Sequence, residues 1–221
     1  MLGGMKGGLE LLDKKNTGTH ARSVVFCGLI VALLTISAWV TIPVGTVPVT
    51  LQVFVVIFAL MVLSSKQFFA SLLIYLVLGA VGLPLFSGMR GGLGSIMGPT
   101  GGFLWGFLLA AAAALLIRYI FTRRISRETL DRISQEQAAL LKVSVSNKRS
   151  TFLLNTAEVS VFLIVMYVCG CLQFMLVTGL DPMGAFLIAV APFIVLDAVK
   201  AVCAIGVARA VLRAMPHNTY G

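Results

Sequence analysis

The sequence predicts an all-α membrane protein with six transmembrane helices and both termini in the cytoplasm. Of its 221 residues, 59% are hydrophobic and 11% are charged, whereas an ordinary soluble domain has about 25% charged residues. The mean hydropathy is +1.02, and several apolar runs approach the roughly 20 residues that a helix needs to cross a bilayer. A chain of this length cannot hide so much apolar surface from water, which excludes soluble enzymes, soluble binding modules and disordered chains.

Six apolar segments are candidate transmembrane helices. In chain order they are residues 23–42, the shorter 50–63, 68–85, 101–120, 151–178 and 184–212. The last segment contains Pro192, and because proline favours the first turn of a helix, we expect a break there. The membrane domain therefore covers residues 23–212, with cytoplasmic tails at 1–22 and 213–221.

The positions of the basic residues predict the orientation. Every Lys and Arg except Arg90 and Lys200 lies on one of four stretches: the N-terminal tail, the connection between the second and third segments, the end of the fourth segment with the polar stretch after it, or the end of the sixth segment. The positive-inside rule places these residues in the cytoplasm. The other connections are rich in Gly and Pro and are expected outside. The N- and C-termini lie on the same side of the membrane only if the number of transmembrane spans is even, which favours six spans.

A polar insertion at about 121–150 separates two halves of three helices each. It is interpreted as a cytoplasmic surface helix that serves as a solvated linker, with a regulatory or docking role as the alternative. The net charge of +9 is spread between apolar runs, which favours contact with anionic lipid over nucleic acid. The cysteines lie inside apolar runs, and no metal-ligand spacing or Ser/His/Asp set is present. We therefore predict no metal, no cofactor and no catalytic residue.

Ionisable residues inside a membrane span are costly and are functional candidates by default. Asp197 and Lys200 are three residues apart and share one helical face. They form either a structural ion pair or a solute-binding site in the outer half of the membrane. Glu158 is expected to pair with Lys148 or Arg149, or to face a partner subunit.

Other candidate residues lie near the outer loops. Arg90 is the only Lys or Arg in these loops, and it could meet a carboxylate or simply face solvent. Thr50 and Gln52 open the second segment and could line the same outer cavity. Gly28 and Ala32 are four residues apart in the first segment, a spacing that lets helices approach closely. They are a candidate contact face for another membrane subunit, although such pairs also occur by chance.

Several runs of this sequence resemble a known family. They are Ile42-Pro43-Val44-Gly45-Thr46-Val47-Pro48-Val49-Thr50-Leu51-Gln52, residues 75–86, Gly91-Gly92-Leu93-Gly94, Gly98-Pro99-Thr100-Gly101-Gly102, and Pro192-Phe193 with Asp197 and Lys200. The chain resembles the BioY family, the biotin-specific substrate-binding (S) components of energy-coupling factor (ECF) transporters. The resemblance covers nearly all of the chain except the N-terminal tail and residues 121–150.

The resemblance implies a six-helix S-component fold with a biotin pocket in its outer half, closed by the first and third outer loops. It also implies docking through Gly28 and Ala32 onto a transmembrane coupling protein that carries two cytoplasmic ATPases. Asp197 and Lys200 are the first candidates for the polar groups of biotin, followed by Arg90. Phe86 and Tyr75 are expected to supply an apolar wall.

The predicted function is high-affinity capture and uptake of biotin at the cell membrane, without enzymatic activity. An S component for another small vitamin is one alternative. A solitary biotin transporter without ATPase partners is the other. The sequence leaves open which end of biotin meets Asp197 and Lys200.

Overall fold

The computed structural model describes residues 2–43, 46–133 and 140–214, and these are almost entirely helical. One two-stranded antiparallel hairpin, β1 and β2, joins the first two helices and pairs Thr41 with Thr50. The elements in chain order are α1 (Leu2–Trp39), β1 (Thr41–Ile42), β2 (Val49–Thr50), α2 (Gln52–Val62), α3 (Ser65–Val81), α4 (Leu93–Met97), α5 (Gly101–Ile133), α6 (Leu140–Thr178), α7 (Pro182–Ala189) and α8 (Ala191–Ala214).

Within the described residues, four helices are long and apolar enough to cross a membrane. Their apolar parts are Ala21–Trp39, Gly101–Phe121, Leu154–Thr178 and Ala191–Ala214. The apolar helices α2 and α3 are shorter, at 11 and 17 residues. Each of the six predicted segments therefore contains a helix, and the prediction of a mainly helical membrane protein is confirmed.

The sixth predicted segment is two helices. The break lies at Val190, between α7 and α8, close to the expected position. Pro192 is the second residue of α8 rather than the first, so Asp197 still lies in the second turn. The Asp181 side chain caps α7 by accepting a hydrogen bond from the Gly184 N–H at 3.2 Å, a common helix start.

The polar insertion does not form a separate surface helix in the described residues, so this expectation was wrong. Residues 121–133 continue α5, and α6 begins at Leu140. No Gly or Pro occurs between residues 107 and 169, so nothing in this sequence interrupts either helix. Residues 134–139 lie outside the described part of the chain. The N-terminal tail likewise continues α1 back to Leu2.

The hydrophobic core lies between the helices. It includes the buried aromatic residues Phe68, Tyr75, Phe107 and Phe162. The helices α5 and α6 pack closely where Gly102 faces Gly170, since a Cβ on Gly102 would lie 3.0 Å from the Gly170 Cα. A Cβ atom on Gly170 would lie 2.3 Å from the Phe103 ring, so the backbone of α6 contacts that ring directly. Small residues commonly allow such close helix contacts in membranes.

Candidate ligand-binding cavity

A cavity of about 690 Å³ opens where the hairpin, the loop 86–100 and the helices α5, α6 and α8 meet. This volume is in the range of small-molecule sites, roughly 300–1,000 Å³. Its polar lining comprises Thr41, Thr46, Thr50, Gln52, Ser87, Arg90, Ser95, Thr100, Tyr167, Asp197 and Lys200. Its apolar lining includes Val47, Val53, Phe86, Phe103, Leu104, Phe107, Met166 and Phe193. Six of the seven predicted ligand-binding residues are therefore brought to one cavity.

Asp197 and Lys200 form an ion pair on one face of α8. The Lys200 Nζ donates to Asp197 Oδ1 at 2.7 Å, and the Asp197 side chain is only 5% exposed. The Tyr167 hydroxyl on α6 donates to the other carboxylate oxygen, Oδ2, at 2.7 Å. All three residues line the cavity. Unused ammonium hydrogens and oxygen lone pairs are left for a ligand.

Sequence reasoning missed Tyr167. A tyrosine in an apolar run carries no charge and is not conspicuous. Its position is set by helix packing, since α6 places it opposite Asp197 on α8. A search for hydroxyl groups inside spans would have identified it as a candidate.

Gln52 is fixed by a chain of hydrogen bonds at the start of α2. Its Nε2 donates to the Tyr75 hydroxyl at 2.7 Å, and its Oε1 accepts from the Thr50 hydroxyl at 3.1 Å. The Tyr75 hydroxyl in turn donates to the Leu85 carbonyl at 2.8 Å. Thr50 and Gln52 therefore line the cavity in defined orientations.

Tyr75 is the one predicted ligand-binding residue that does not line the cavity. It is fully buried behind Gln52, and its ring meets that of Phe86 edge to face, with centroids 5.6 Å apart. Phe86 does form part of the wall. The structure thus places Tyr75 as a support for two lining residues rather than as a wall itself.

Arg90 lies in the loop 86–100 and reaches the cavity while remaining exposed. Its carbonyl accepts a hydrogen bond from the Phe86 N–H at 2.9 Å, which closes the turn between them. In the described residues the guanidinium makes no ion pair. It can therefore receive an anionic group at the mouth of the cavity.

Glu158 does not line this cavity, and the partner that the structure describes for it is Arg118. Its carboxylate accepts hydrogen bonds from Arg118 of α5, Nε to Oε1 at 2.9 Å and Nη2 to Oε2 at 2.6 Å. Arg118 Nη2 also donates to the Leu60 carbonyl of α2 at 2.7 Å. The side chains of Lys148 and Arg149 lie outside those that the structure describes. The pair thus connects three helices.

The two small residues predicted for docking lie on the outward face of α1. Gly28 and Ala32 are both exposed, and no atom lies within 4 Å of a Cβ built on Gly28. Leu29 and Leu33 beside them are also exposed, at 54% and 36%.

Among the described residues, no group of three metal-binding side chains is found.

Comparison with known proteins decides the family. The model of the BioY family matches residues 12–217. The chain belongs to the BioY family. The probable biotin transporter BioY of Pyrococcus horikoshii is 35% identical over 192 residues, 85% of this chain and 94% of the relative. The biotin transporter BioY of Rhodobacter capsulatus is 35% identical over 205 residues, 88% of this chain and 95% of the relative.

The fold of this BioY family member is also found in a solved structure. A 2.1 Å crystal structure of the S-component for biotin from an ECF-type ABC transporter superposes with a TM-score of 0.69. The match covers 90% of this chain and 94% of the other at 20% sequence identity, which establishes the shared fold. With its four long apolar helices, this BioY family member is a multi-pass membrane protein.

Proposed function

We propose that this chain captures biotin from the outer side of the cell membrane and delivers it inward as the S component of an ECF transporter. The observation that carries the proposal is the cluster of Asp197, Lys200 and Tyr167 in the cavity of a BioY family member. No catalytic step is needed, because the site offers recognition groups only.

The chemistry of the cavity matches the two polar ends of biotin. The cyclic urea has two N–H donors and one carbonyl acceptor. The oxygens of Asp197 and Tyr167 accept from the N–H groups, and the Lys200 ammonium donates to the carbonyl. The carboxylate tail then reaches Arg90 at the mouth of the cavity, where a guanidinium can form a charge-assisted hydrogen bond.

The apolar rings of biotin fit the wall between these ends. This wall is formed mainly by Phe86, Phe103, Leu104 and Phe193. Burying the rings there removes apolar surface from water, which favours binding at about 25 cal/mol per Å². Gln52 and Thr50 offer further hydrogen bonds in fixed orientations.

We further propose that all six predicted segments cross the membrane, with both termini and residues 121–150 in the cytoplasm. The helix α2 has 11 residues, which is about 16 Å of helix, so the hairpin beside it completes that crossing. Basic residues cluster at the end opposite to the cavity loops, which supports this orientation. The cavity then lies in the outer half.

The exposed small-residue face at Gly28 and Ala32 is the proposed contact with the transmembrane coupling protein, which carries two ATPases. Gly28 and Ala32 have no bulky side chain, which suits close helix packing at these two positions. Solitary transport without ATPase partners remains the alternative, and a measurement of biotin uptake by cells distinguishes the two.

We expect biotin uptake by cells lacking biotin synthesis only when the coupling protein and ATPases are co-expressed. Uptake with this chain alone would overturn the partnered mechanism.

Ligand identity is tested by equilibrium binding to the purified protein in detergent. The panel consists of biotin, thiamine and riboflavin. We expect saturable binding of one biotin per chain and no measurable binding of the other two vitamins. Binding of another vitamin instead of biotin would replace the proposed ligand.

A further inference from the structure

The outer loop contributes much of the cavity wall, yet among the side chains of α4 only the partly buried Ile96 packs against the core. Gly94, Ser95, Gly98, Pro99 and Thr100 all line the cavity. No residue of α4 is buried, and its large apolar side chains Leu93 and Met97 are 61% and 72% exposed. Polar contacts therefore add to the packing of Ile96 in fixing this wall.

Gln173 of α6 supplies the contacts at the C-terminal end of the loop. Its Nε2 donates to the carbonyl of Ile96 at 2.7 Å and to that of Gly98 at 2.8 Å. Its Oε1 accepts a hydrogen bond from the Trp105 indole N–H. The other described hydrogen bonds of residues 93–98 connect positions close in sequence. Both amide hydrogens of Gln173 thus hold the loop to the helix bundle.

Two glycines make room for this contact. A Cβ on Gly101 would lie 1.7 Å from the Ile96 carbonyl oxygen and 2.6 Å from Gln173 Nε2. A Cβ on Gly102 would lie 2.7 Å from the Gln173 Cβ. Gly101 and Gly102 therefore leave the space in which the loop, α5 and α6 meet at the side-chain amide of Gln173.

We infer that Gln173 is a positioning residue for ligand retention: it holds residues 94–100 as a wall of the cavity without contacting the ligand. Gln173 itself does not line the cavity, so it acts through the loop. This inference rests on the proposed function for its ligand, biotin. When the two amide bonds are lost, the wall opens more often and bound biotin escapes faster.

Two kinds of variant separate the loop contacts from the Trp105 contact. Gln173→Glu keeps an acceptor for Trp105 but has no N–H to donate to the loop, and Gln173→Met removes all three bonds at similar size. Trp105→Phe is the matched control, because it removes the indole donor and leaves both loop bonds. Dissociation of radiolabelled biotin from protein in nanodiscs is followed after adding unlabelled biotin.

We expect dissociation at least tenfold faster in both Gln173 variants and within twofold of the parent in Trp105→Phe. Unchanged dissociation in folded Gln173 variants would overturn the inference. Hydrogen exchange of residues 91–100 without biotin provides a readout that does not need the ligand. Faster exchange in the Gln173 variants supports the anchoring role, and unchanged exchange overturns it. A parent that binds no biotin, with faster exchange in the variants, would refute the proposed function alone.

Discussion

The ion pairs Asp197–Lys200 and Arg118–Glu158 both lie inside the membrane helices, and they differ in what surrounds them. Asp197 and Lys200 are on one helix and line the cavity. Arg118 and Glu158 are on different helices, and neither lines the cavity. Both pairs include a carboxylate that is almost completely buried. Burial of a charge therefore does not by itself distinguish a binding site from a structural contact.

The hydrogen bonds make the distinction. Glu158 receives two bonds from Arg118, which also binds the Leu60 carbonyl, so the polar groups are matched within the protein. Asp197 receives one bond on each oxygen, and both Lys200 and Tyr167 still face a cavity. The role of an intramembrane ion pair thus depends on whether its unused hydrogen-bond donors and acceptors face a cavity or other protein groups.

The largest expected effect is on stability and comes from breaking the structural pair. Arg118→Met leaves Glu158 buried without its partner, which costs about 3 kcal/mol. We expect a clear loss of stability in denaturant unfolding of the detergent-solubilised protein. The double variant Arg118→Met/Glu158→Gln should recover part of that loss. Equal stability of parent and Arg118→Met would show that the pair contributes little.

The next effect is on binding and comes from the cavity pair. Lys200→Met removes a charge-assisted donor from the proposed urea contact, at a cost of about 2 kcal/mol. This corresponds to a Kd roughly 30-fold higher in a biotin titration. Cys203→Ser on the same helix is the control, because Cys203 is exposed and does not line the cavity. A Lys200→Met variant that binds like this control would make the pair structural.

Tyr167→Phe sharpens the comparison by removing a single hydroxyl. The variant loses one hydrogen bond to Asp197 and one acceptor for the ligand, worth about 1 kcal/mol. We expect a Kd about fivefold higher in the same titration, with the ring packing retained. An unchanged Kd would remove Tyr167 from the proposed site.

The smallest effect is expected at Arg90, because an exposed charge contributes about 1 kcal/mol or less. Arg90→Gln should raise the Kd of biotin about threefold. Biotinamide has no carboxylate, so its Kd should be the same for parent and variant. Equal effects on both ligands would show that Arg90 does not bind the carboxylate tail.

The sequence predicted the features that depend on local pattern. The lengths of the apolar runs predicted the positions of the helices. The three-residue spacing placed Asp197 and Lys200 on one helical face, and Pro192 predicted the break before α8. The contacts between distant segments were not predictable in the same way. Arg118 lies 40 positions from Glu158, and local sequence pattern does not assign a partner across that separation.

The same reason explains the other differences. Tyr75 lies behind Gln52 because of how α2 and α3 pack, and apolar periodicity does not fix that rotation. Tyr167 and Gln173 are uncharged residues whose partners come from other segments. The short strands of the hairpin have two residues each, which is too few to give an alternating pattern.

The central claim is that Asp197 belongs to the biotin site and Glu158 to the scaffold. Neutralising each carboxylate in turn, with Asp197→Asn and Glu158→Gln, and measuring biotin Kd and Tm for both variants tests it most directly. We predict a Kd at least 30-fold higher for Asp197→Asn with little change in Tm, and a lower Tm for Glu158→Gln with its Kd within twofold of the parent. Tight binding by Asp197→Asn, or an equal loss of binding by folded Glu158→Gln, would contradict the claim.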